Sequence, residues 1–166
     1  MKRVILYIAL FVSMATKSMA GDNPNYKSFA SFSNDSLGYL KENFDDNEYY
    51  IGKSLSEFFD DLEIQIKSCV FCPDFFCGRN LHDAILYFEE DKIVSKAIYE
   101  KKGRSLLTLY VSFQPISMVE YKQYEAMIRK ARKNNEVNSD TEWDLFEKAF
   151  LGNRIITKIS VPDVVR

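Results

Sequence analysis

The chain has one histidine, one tryptophan and three cysteines among 166 residues, and its 22 lysines and arginines do not outnumber its 24 acids. With His82 as the only imidazole, no Ser-His-Asp triad forms without it, and neither a His-Glu-x-x-His pair nor a glycine-rich phosphate loop is present. The absence of a basic excess argues against a nucleic-acid surface, which needs a net positive face. The cysteines fall at 69, 72 and 77, too close together to be the framework of a small disulfide-held fold. A chain of this length buries about two thirds of its unfolded surface and folds without such a framework. No internal repeat, low-complexity stretch or second domain is visible, and no run after residue 14 is apolar enough to span a bilayer.

What is present begins with an address. Met1-Lys2-Arg3 is a positive start, residues 4–14 are almost all apolar, and Ser18-Met19-Ala20 supplies small residues before Gly21. That order is a cleavable secretory signal over residues 1–20, which places the chain in the periplasm or outside the cell. The apolar run is short of the ~20 residues a permanent anchor needs, and no cysteine follows the cut to carry a lipid. Cleavage removes Lys2, Arg3 and Lys17 and no acid, leaving the mature chain more acidic than the formal −2 of the precursor.

Residues 21–32, with Asn23-Pro24-Asn25 and several serines, read as a leader expected to be mobile, and residues 33–166 as one domain. A helix is expected over 33–44 on Leu37, Leu40 and Phe44, weakened by Gly38. In "YYIGKSLSEFFDDL", residues 49–62, Ser54 and Glu57 form a capping box and Leu55, Phe58, Phe59 and Leu62 make one apolar stripe. Ser117 and Glu120 open a helix with Tyr121, Tyr124, Ile128 and Ala131 on a common face. Ser139 and Glu142 open another, with Trp143, Phe146, Ala149 and Phe150 inward and Gly152 past its end. The run Arg129-Lys130-Ala131-Arg132-Lys133 reads as a solvated last turn whose cations suit the helix dipole.

Alternation predicts strands over 63–71, 93–100, 105–114 and 154–161, and residues 84–88, apolar on both faces, suit a central strand. In the first, Ile64, Ile66, Ser68 and Val70 share one face and Cys69 starts on the more polar one. "KKGR", with Gly103 at positive φ, would join the strand over 93–100 to that over 105–114 as a hairpin. The expected fold class is α+β, an antiparallel sheet of about four to five strands with helices packed on one face.

The most specific chemistry lies in "CVFCPDFFCGRNLH", residues 69–82. Cys69, Cys72, Cys77 and His82 are four potential zinc ligands. Their spacing resembles a zinc knuckle, but the last two ligand types are exchanged and only Gly78 stands in for the knuckle's glycines. Thiols in an oxidising compartment also pair before they meet scarce zinc. Cys69-x-x-Cys72 is the spacing of a thiol-redox site, yet Pro73 and Gly78 break the helix such a site needs. The favoured reading is a stapled loop, Cys72 to Cys77 across Pro73-Asp74, with Cys69 to Cys77 as the competing pair and one thiol left over. No cofactor is expected on that reading.

Acids are plentiful, but catalytic carboxylate pairs cannot be picked out by spacing, so a secreted hydrolase stays as the alternative. Phe75 and Phe76 are adjacent in a loop and cannot both point inward, which makes them the anchors expected to meet a partner protein or surface ligand. Asn34-Asp35-Ser36 has the pattern of a glycosylation acceptor. The stretch 49–62, followed by "EIQIKS", "AILYFEED" and "LLTLYVSF", resembles small exported bacterial proteins of unassigned function. That resemblance implies an envelope or secreted setting and an α+β fold, and supplies no catalytic residues. Together these features lead to the expectation of an exported, non-enzymatic binding module that recognises or inhibits another envelope or secreted protein.

Overall fold

A computed structural model describes residues 23–73, 80–100, 102, 106–134, 143 and 145–164. Four strands form one antiparallel sheet in the order β1-β2-β3-β4: β1 (Ser68–Pro73), β2 (Asn80–Tyr87), β3 (Thr108–Ser117) and β4 (Ile156–Ser160). Five α-helices accompany it among the described residues: α1 (Ser36–Phe44), α2 (Leu55–Asp61), α3 (Asp91–Tyr99), α4 (Met118–Lys133) and α5 (Leu145–Gly152). This is the α+β class with an antiparallel sheet that the hydrophobic pattern implies.

The first two helices start where their caps dictate. Asp35 accepts from the Gly38 amide at 3.0 Å and opens α1. A Cβ on residue 38 would stand 2.5 Å from Asp35 Oδ2, so the glycine that weakens helix propensity also makes room for the cap carboxylate. At α2 the Ser54 amide donates to Glu57 Oε2 at 2.9 Å and the Glu57 amide to Ser54 Oγ at 3.4 Å, a complete capping box. Gly52, at φ +84°, turns the chain just ahead of it, and its amide reaches the Ile156 carbonyl of β4.

The main core lies on one face of the sheet. Tyr39, Leu40 and Phe44 of α1 and Leu55, Phe58 and Phe59 of α2 meet Leu81, Leu86, Leu109, Val111, Phe113 and Ile159 of the strands. Tyr26, Phe29 and Phe32, in the stretch read as a leader, pack against this same core. Asn43 holds the segment by accepting from the Lys27 amide at 2.8 Å and donating to the Lys27 carbonyl at 2.9 Å.

Three local expectations are corrected. Residues 93–100 are not a strand: 93–99 belong to α3, which Glu100 follows as its C-cap, and there Val94 and Ala97 sit three apart and dock on Tyr87, Val70 and Ile85. Those residues alternate with Cys69, Phe71, Ala84 and Leu86 of the main core, so α3 covers the opposite face of the sheet. The period-two reading failed because, among the helix residues whose burial is described, Val94 alone is buried, which leaves either period nearly as good. Cys69 lies on the core face, not the polar one. The strand begins at Ser68, so the alternation of Ile64 and Ile66 does not run on into it. In α5, Ala149 is exposed, while Glu147 and Leu151 turn inward. The signal segment 1–20, the Gly103 turn and the expected cap at 139–142 lie outside the described residues.

Candidate binding groove

The cysteine cluster is not drawn into one site among the described residues. Cys69 and Cys72 are free thiols three positions apart on β1, which sets them on opposite faces of the sheet. Cys69 is 2 % exposed, and burial, reinforced by the charge of Glu147, pushes its thiol well above the ordinary value. Cys72 is half-buried opposite Asp83, and burial followed by that carboxylate raises it too. Neither thiol is activated, so the redox reading finds no nucleophile in this pair.

His82 stands at an irregularity in the β2–β3 register and meets Asp83 Oδ2 through Nε2 at 3.0 Å. Among the described residues no three His, Cys, Asp or Glu side chains form a metal-holding group. With Cys69 turned into the core, the four-ligand zinc set is not assembled from the members that are described. Cys77, Phe75 and Phe76 lie outside the described residues.

A different feature stands out between α4 and α5. Glu120, Gln123, Tyr124 and Met127, at i, i+3, i+4 and i+7 of α4, face Phe146, Ala149 and Phe150 of α5 across a groove of about 420 Å³. Its floor is aromatic: the Tyr124 and Phe150 rings stack at 4.1 Å, and Phe71 of β1 meets both edge-on at 5.8 and 5.9 Å. Beneath the floor, Tyr124 donates its hydroxyl to Glu147 Oε1 at 2.7 Å, and Glu147 is 1 % exposed. At one end Arg154 closes an ion pair with Glu120 while its Nε donates to the Phe150 carbonyl. Met127 on the groove wall is 44 % exposed.

Sequence reasoning placed Tyr124, Phe146 and Phe150 on inward helix faces, which holds for Tyr124, 8 % exposed, and for Phe150, packed against the main core, but it had no means of opening a trough between them. It also left Glu147 unmarked. The signal that was available is that Glu147, Phe150 and Leu151 lie at i, i+3 and i+4, a stripe that a rule against burying acids passes over. Among the described residues no helix is long and apolar enough to cross a membrane. The chain matches no family model, no curated protein and no solved structure.

Proposed function

We propose that the chain is an exported, non-enzymatic interaction module that takes an apolar helical segment of another protein into the groove between α4 and α5. The observation that carries the reading is the groove itself: an open, aromatic-floored trough with a methionine left exposed on its wall. Soluble proteins seldom leave contiguous apolar surface uncovered without an interaction to use it, and methionine and aromatic side chains are the types that interfaces favour. Walls built from successive helical turns suit a helix laid in a groove, where apolar anchors recur every three to four residues.

The groove's electrostatics support binding over the hydrolase alternative. Among the described residues its one lining carboxylate, Glu120, is paired with Arg154, and Glu147 is sealed beneath Tyr124, so no described acid faces the trough unpaired to exchange a proton with a substrate. Phe75 and Phe76, the anchors expected from sequence, lie outside the described residues, and the proposal does not draw on them.

The test is selection of displayed random peptides on the mature protein, followed by affinity measurement on variants. Ala149→Glu places a charge on the trough wall at an exposed position, and Ser95→Glu does the same on α3 as a control. Selected peptides should carry an apolar stripe and lose about tenfold or more in affinity for the Ala149 variant, with the Ser95 variant unchanged. Equal binding to both variants would place the interaction elsewhere.

A further inference from the structure

We infer that the segment received by the groove is acidic along one flank, an amphipathic helix with carboxylates beside its apolar stripe; this rests on the groove being the binding site. The two ends of the trough differ in charge. At the Arg154 end, cation and anion neutralise each other. At the other end, the line Gln123, Met127, Lys130, spaced i, i+4 and i+7, runs from the groove wall onto a lysine, with Lys133 one turn further. Lys130 and Lys133 are exposed and form no ion pair among the described residues. Arg129 beside them is 74 % exposed at its side chain and holds Glu125 only at 3.7 Å.

Helix-dipole compensation accounts for Lys130 and Lys133 in the last turn, but its effect fades within that turn and does not explain Arg129 further back. Across α4 there are Lys122, Arg129, Lys130, Arg132 and Lys133 against Glu120 and Glu125, a local cationic excess in a chain whose formal charge is −2. A cationic end on an apolar trough selects a partner with anions at the matching end and rejects a basic one.

The experiment uses two synthetic 16-residue helical peptides that share one Leu/Phe stripe, one flanked by glutamates and the other by lysines. Binding to the mature full-length chain is read by fluorescence anisotropy. The glutamate peptide should bind about tenfold or more tightly than the lysine peptide, with the gap narrowing as salt rises from about 0.05 to 0.5 M. Lys130→Glu with Lys133→Glu should invert the preference, and Lys130→Gln with Lys133→Gln should abolish it. Both positions are exposed, and the salt series on the unaltered protein tests the same point without a variant.

Equal affinities that both fall on Ala149→Glu would overturn the acidic flank and leave the groove reading standing. Absence of binding, or binding indifferent to Ala149→Glu, would overturn both. Sedimentation with anionic phospholipid vesicles in place of peptide binding would overturn a protein partner in favour of a membrane surface.

Discussion

Among the described residues the inner face of the sheet is closed by α1, α2, α4, α5 and the segment from residue 23, whereas α3 is the one helix on the outer face. On the inner side Tyr39, Phe44, Phe58, Leu109, Phe113 and Ile116 are at most 1 % exposed. On the outer side only Tyr87, Val94 and Leu106 are buried in their cluster, and α3 leaves Ile93, Ile98 and Tyr99 in solvent, Tyr99 at 90 %. Burial free energy scales with the apolar area removed from water, so the two faces of one sheet make unequal contributions to stability. The inner face fixes the fold, and α3 is held by a patch small enough to detach before the rest unfolds.

Truncating one residue on each face tests this asymmetry most strongly. Phe113→Ala should destabilise by about 3–5 kcal/mol, from lost transfer energy and the cavity left in a layer that α1 and α2 hold shut. Val94→Ala removes two methyl-sized groups from the thin layer and should cost about 1.5 kcal/mol globally. Hydrogen exchange should add a second difference: Val94→Ala speeds exchange in α3 alone, while Phe113→Ala speeds it throughout. Equal global losses would show that α3 is as integral as the inner helices.

A smaller effect is expected within the inner face, at its polar seam. Tyr39 is wholly buried, yet its hydroxyl accepts from the Glu63 amide at 2.9 Å and shares a 2.8 Å hydrogen bond with the Tyr26 hydroxyl, which itself donates to the Asp61 carbonyl at 2.7 Å. Tyr50 donates to Asp61 Oδ2 at 3.0 Å alongside. Tyr39→Phe keeps the ring, strands the Glu63 amide and should cost about 1–3 kcal/mol in urea unfolding. If the loss is well under about 1 kcal/mol, the seam is solvated and residues 23–32 are not held by it.

Legibility in the sequence follows the same asymmetry. The α2 stripe and its capping box were readable because Leu55, Phe58 and Phe59 are all buried and Ser54 and Glu57 cap each other within three residues of sequence. β3 and β4 were placed to within three residues at each end: β3 alternates Leu109, Val111 and Phe113 against a deep core, while β4 buries Ile156 and Ile159 three apart. α3 was misread because one buried residue cannot fix a period. The α4–α5 groove was not readable because a residue lining a trough and a residue filling a core have the same composition; only the separation of two helices distinguishes them. Glu147 was missed for a related reason: its burial depends on a tyrosine hydroxyl from another helix, a pairing that sequence spacing does not encode.

The two thiols offer the finest comparison, because Cys69 and Cys72 sample the two faces from one strand. Burial raises both, Cys69 well above the ordinary value near 9 and Cys72 less deeply buried beside Asp83. A thiol whose folded pKa is raised keeps its proton in the folded state after the unfolded chain has lost it. Its contribution is therefore fully present below about pH 9 and is lost as pH climbs toward the folded value, at no more than about 1.4 kcal/mol per pH unit for one proton. Tyr87, pushed up to about 12 by burial, acts in the same direction only above its own ordinary value of 10.0, which leaves pH 9 to 10 as the window in which the thiols speak alone. In urea unfolding under reducing conditions, Cys69→Val should flatten the fall in stability across that window and continue to do so above it. Cys72→Val should flatten it less and over a narrower span, since a half-buried thiol ionises in place sooner. If the two variants flatten the curve equally, then Cys69 is reached by water in the folded state and the inner face is not closed over β1.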